Sequence, residues 1–112
     1  RNSLLLFFKQ NGVYNRIFPE GISYLKAAGS QTEIFFEGSR HIISTNLSDL
    51  LRQFDLNTLV QCHRSYAVNL EAINSFDSTT IYVKYQNKLV DIPIGESFRK
   101  QLFAEMNLIK TK

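Results

Sequence analysis

Gln61-Cys62-His63-Arg64-Ser65 is the densest run of chemically able side chains in this 112-residue chain. Arg64 offers a planar five-donor fork, suited to a phosphate or to the O6/N7 edge of guanine. Ser65 can donate to a phosphate oxygen. His63 and, a few residues on, Asn69 can each donate and accept; both can equally satisfy backbone groups at a tight turn, as buried polar residues usually do. Pro93-Ile94-Gly95-Glu96-Ser97-Phe98-Arg99-Lys100 is a second candidate. It opens a helical pattern, and the free amides of a helix start attract anions, with Arg99 and Lys100 one turn in. A third is the polar tip Gly29-Ser30-Gln31 between two apolar runs, although such tips are mostly plain turns.

Other chemistries find little support. Cys62 and His63 are adjacent, so in a strand their side chains point to opposite faces and cannot act together as nucleophile and base. Cys62 reads better as a small buried residue. The two histidines, His41 and His63, lie 22 positions apart, and no carboxylate pair repeats at i, i+3 or i+4 beside either, so no metal site is expected. The glycines form no phosphate-loop pattern. No cofactor and no catalytic residue are expected.

These residues must be held by short strands. Ser3 to Lys9 and Tyr14 to Phe18 flank Asn11-Gly12, a strong hairpin signal. Ile22 to Ala28 is a further strand. Thr32 to Glu37 and Arg40 to Ser44 flank a second hairpin turn at Glu37-Gly38-Ser39. Leu47, Leu50, Leu51 and Phe54 stand at i, i+3, i+4 and i+7, one face of a helix, with Thr45 or Asn46 as its cap. Strands resume over Leu59 to His63, Tyr66 to Leu70, Ile73 to Asp77, Thr80 to Tyr85 and Lys88 to Ile92. A second helix runs from Gly95, or from a Ser97 cap, to about Leu108. Many short strands and two helices predict a mainly β domain, not a βαβ series.

Composition agrees. The chain is 44% hydrophobic and 21% charged, with a net charge of +3, values of one globular domain spanning residues 1–112. The mild excess of base permits a polyanionic partner without demanding one. One cysteine excludes an internal disulfide framework. The longest apolar run, Leu4 to Phe8, is far short of a membrane span. The chain opens on Arg1, not methionine, and so is expected to be a piece of a longer protein.

The run Leu59-Val60-Gln61-Cys62-His63-Arg64-Ser65-Tyr66-Ala67-Val68-Asn69-Leu70-Glu71-Ala72-Ile73 resembles the signature of the LytTR family, DNA-binding domains of bacterial response regulators. Ile22 to Ala27 resembles that family's early strand, Leu47 to Phe54 its helix, and Ile92 to Lys100 its closing segment. These matches fall in the family's order over about residues 4 to 106.

The resemblance implies an elongated fold of small antiparallel β-sheets with one or two short helices. It implies sequence-specific binding of double-stranded DNA through three loops set in successive major grooves, by the output domain of a cytoplasmic two-component transcription regulator. Carried over by position, the loops are Gly29 to Thr32, Gln61 to Ser65, and Gly95 to Ser97. Gln31, Arg64 and Glu96 fall at base-reading positions. Ser30, Gln61, His63, Ser65, Ser97, Arg99 and Lys100 fall at phosphate-contacting ones, with His63 mainly organising the turn and Asn69 structural. An upstream receiver domain and a dimer on direct repeats in promoters are expected partners, with no membrane. Two residues depart from the pattern. Glu96 stands where the family commonly has a basic residue; a carboxylate can accept from cytosine N4 or turn aside and pair with Arg99. Gln61 replaces an arginine, which removes one phosphate neutraliser. These departures favour the competing expectation, a degenerate copy of the fold that binds a partner protein.

Overall fold

Asn11 and Gly12 both take positive φ, 52° and 79°, the backbone that a two-residue type I′ turn requires. Glu37-Gly38 and Gln86-Asn87 do the same. Each pair closes a tight hairpin, with Gln10 opposite Val13, Phe36 opposite Ser39, and Tyr85 opposite Lys88. The tip at Gly29-Ser30 differs. Only Gly29 has positive φ there, as in a type II′ turn with glycine first.

The computed structural model describes residues 5–111. The strands are β1 (Leu6–Gln10), β2 (Val13–Ile17), β3 (Ile22–Ala28), β4 (Gln31–Phe36), β5 (Ser39–Ile43), β6 (Leu59–His63), β7 (Tyr66–Asn69), β8 (Ile73–Phe76), β9 (Thr80–Tyr85) and β10 (Lys88–Pro93). Helix α1 (Leu47–Phe54) follows β5, and α2 (Glu96–Ala104) follows β10. The expected mainly β architecture is thus present as three antiparallel sheets, β1-β2, β8-β9-β10, and a central β5-β4-β3-β7-β6. The domain is elongated, 55 × 33 × 28 Å.

Most elements lie where the sequence puts them, and two differ. The first strand runs Leu6–Gln10, while Ser3 and Leu4 lie outside the described residues. Helix α2 stops at Ala104 instead of near Leu108. The Glu105 amide donates to the Leu102 and Phe103 carbonyls, which tightens and ends the last turn. Leu108 and Ile109 beyond it are exposed, so their apolar character extends the sequence pattern without extending the helix.

The central sheet separates two cores. On one face Leu25, Ile34 and Ala67 pack against Leu47, Leu50 and Phe54 of α1 and against Ile17. On the other, Tyr24, Cys62 and Val68 pack against Ile81, Val83 and Ile92 of the three-stranded sheet and Leu102 of α2. Burial of each of the Leu, Ile, Val and Phe side chains contributes about 1.5–3 kcal/mol. Asn46 caps α1, its side chain accepting from the Asp49 amide at 2.9 Å. Asn69, at the end of β7, is only 2% exposed. It donates to the Pro19 and Ile22 carbonyls and accepts from the Glu71 amide, tying β7 to the start of β3.

Candidate nucleic-acid interface

Antiparallel pairing puts the end of β3, the start of β4, the end of β5, the end of β6 and the start of β7 at one end of the central sheet. Two of the singled-out stretches, Gly29-Ser30-Gln31 and His63-Arg64-Ser65, are therefore turns at the same end. They are bonded together: the Ala27 amide donates to the Ser65 carbonyl at 2.8 Å. The third stretch joins them through α2. The Gly95 amide donates to the Cys62 carbonyl at 2.8 Å. A Cβ on Gly95 would lie 3.1 Å from the Phe98 ring and 3.5 Å from the His63 Cα, so glycine permits this close approach. Gly95 also opens α2 without any side-chain cap, which leaves Ser97 exposed in the first turn.

The middle turn is held by its own side chains. His63 Nδ1 accepts from the Ser65 amide at 3.0 Å. The Gln61 amide nitrogen donates to the carbonyls of His63 at 3.1 Å and Arg64 at 3.4 Å. In this arrangement the Gln61 side-chain amide donates inside the turn, and the His63 ring braces it. Arg64 is exposed at the apex.

Of the described arginines, three are ion-paired, and Arg16 and Arg64 are not. Arg40 pairs with Glu33, Arg52 with Asp49, and Arg99 with Glu96 at 3.8 Å. Arg64 makes no ion pair among the described residues. Arg99 is further engaged: its Nε donates to the Ser78 carbonyl at 2.7 Å, fastening α2 to the Asp77–Thr80 turn. There the Asp77 carboxylate accepts from the amides of Thr79 and Thr80, which hold its pKa below the ordinary carboxylate value. The Glu96 carboxylate is almost fully exposed, and Lys100 is exposed on the same helix.

Gln31 and Ser30 are exposed at the first tip. Gln31 reaches the Ser44 hydroxyl at 3.5 Å. Thr32, fully buried, donates to the Thr45 carbonyl at 2.7 Å. The tip is thereby fixed to the β5–α1 connection, which the sequence reading did not include in the site. Ser30, Ser44, Asn46, Arg52 and Gln53 help line an open polar hollow of about 520 Å³ between them.

Cys62 is buried, and burial pushes its thiol up to about 12, so it remains a protonated core residue at neutral pH. The His41 ring packs tilted against Phe8, with ring centroids 5.0 Å apart. Among the described residues there is no group of three or more His, Cys, Asp or Glu placed to hold a metal ion, and no helix long and apolar enough to cross a membrane.

The fold is thus a small β domain with exposed polar turns gathered at one end of its central sheet. The family model of the LytTr DNA-binding domain matches residues 13–107, and the chain belongs to this family. Its structure is similar to the LytTr DNA-binding domain of a Bacillus cereus protein designated a methyl-accepting/DNA response regulator. The TM-score is 0.72 at 17% identity, covering 93% of this chain and 97% of that one. No curated protein sequence matches the chain.

Proposed function

We propose that this domain binds double-stranded DNA in a sequence-specific way as the output module of a transcriptional response regulator, its three turns entering successive major grooves. The observation that carries the reading is Arg64: an unpaired guanidinium at the apex of a turn whose backbone is fixed by His63 and Gln61. A preorganised fork of this kind suits bidentate contact with guanine. Gln31 fits adenine and Glu96 fits cytosine N4. Ser30, Ser65, Ser97 and Lys100 set register on phosphates. Arg99 and Gln61 act behind them, holding α2 and the middle turn. Two copies on direct repeats, linked to a receiver domain in a cytoplasmic regulator, would supply the affinity that one small footprint lacks.

Selection of bound sequences from a random duplex pool, followed by salt-titrated anisotropy, tests the reading. Enrichment of a defined motif and a steep fall of affinity with salt support it. Failure to retain any duplex at low salt overturns it. That outcome would favour the second reading, a protein-interaction module, for which one feature speaks: residues 20–112 hold ten basic and ten acidic side chains, so the part carrying the turns has no net charge.

A further inference from the structure

Lys26 lies outside the three turns. It stands on β3, exposed, opposite Glu33 on one side and Tyr66 on the other. Its natural carboxylate partner is taken, because Glu33 pairs with Arg40. Lys26 itself makes no ion pair among the described residues. Its ammonium instead lies over the Tyr66 ring, 5.8 Å from the centroid. Tyr66 in turn packs edge-on against His63, centroids 5.6 Å apart, and His63 holds the turn that carries Arg64 and Ser65. The neighbouring residue, Ala27, is the one bonded to Ser65. Lys26 is therefore one residue down the strand from the contact that joins two of the turns, and its stem is long enough to bring the charge to their level.

We propose that Lys26, positioned by the Tyr66 ring, is a phosphate-neutralising residue of the DNA interface. The inference rests on the DNA reading above and adds a contact on the sheet face beside the turns. The ring restricts where the ammonium goes and so reduces the ordering cost of a long flexible side chain on binding. A point charge of this kind neutralises a phosphate and carries no base preference. Removing it should lower affinity for every sequence alike and release one counterion fewer, reducing the salt slope by about 0.9.

The test compares wild type, Lys26→Gln, Lys26→Arg and Arg64→Ala for binding to a short fluorescent duplex of mixed sequence and to the selected duplex, between about 50 and 200 mM salt. Expected results are a roughly five- to tenfold loss for Lys26→Gln on both duplexes with the smaller slope, and recovery of the slope in Lys26→Arg. Because Lys26 is exposed, all four proteins should unfold at similar temperatures, and a matched thermal midpoint confirms that folding is unaffected. Lys26→Gln with wild-type affinity and slope, while Arg64→Ala weakens binding, overturns the Lys26 assignment and leaves the DNA reading standing. A loss in Lys26→Gln restricted to the selected duplex also overturns it, by making Lys26 a base reader. Absence of binding by wild type on both duplexes defeats the DNA reading itself.

Discussion

The imidazole of His63 accepts the backbone N–H of Ser65 at 3.0 Å, spanning the residue between them, Arg64. A base-reading guanidinium works only if its Cα is fixed, because ordering it on binding would consume part of the contact energy. His63→Ala removes this brace. The expected result is a several-fold loss of affinity for the selected duplex, consistent with about 1 kcal/mol for one hydrogen bond, and a thermal midpoint changed far less than binding. Anisotropy and a melting curve on the same sample check it.

Arg64 and Lys100 should separate the two kinds of contact. Arg64→Ala is expected to relax preference at one base pair by about 1–3 kcal/mol. Lys100→Ala should weaken all sequences alike and flatten the salt dependence. A competition series with single-base variants of the selected duplex reads both. Equal effects of the two substitutions would show that the division of roles is wrong.

Asn69 is buried and uses its side chain three times. Asn69→Ala leaves the Pro19 and Ile22 carbonyls and the Glu71 amide without that partner. Each such group costs about 1–3 kcal/mol when it stays dry. A loss of at least about 2 kcal/mol in urea unfolding is expected, with little change in m-value.

Alkaline pH should destabilise the fold. Burial pushes the Cys62 thiol from 9.0 up to about 12, and burial with neighbouring phenols pushes Tyr24 from 10.0 to about 12. The folded state therefore holds these protons more tightly than the unfolded chain. Their contribution is fully present below about pH 9, and it is lost as pH rises toward 12. Unfolding free energy should fall over that window, less steeply in Tyr24→Phe and Cys62→Ala. A thiol reagent at neutral pH should label Cys62 only after unfolding.

Much of the architecture was legible because local chemistry and tertiary structure agree. Asn11-Gly12 and Glu37-Gly38 mark hairpins since few residues tolerate φ > 0, and Leu47, Leu50 and Phe54 share one helix face because they meet one core. The end of α2 was not legible, since Leu108 and Ile109 continue an apolar pattern with no core to meet. The turns of the site stood out by residue type. Which of their side chains are spent internally did not: Arg99 bonds Ser78, 21 positions away. Lys26 was missed for a related reason. Its nearness to Tyr66 and the middle turn comes from the pairing of β3 with β7, a long-range register that no short motif announces.

The bonds from Ala27 to Ser65 and from Gly95 to Cys62 link the three turns like the teeth of one comb. A comb does not adjust its teeth to what it enters. On the proposed docking, any mismatch in groove spacing must be absorbed by the duplex, and duplexes differ in compliance. Pyrimidine–purine steps kink easily, so base pairs lying between the teeth, touched by no side chain, would still be chosen for their pliancy.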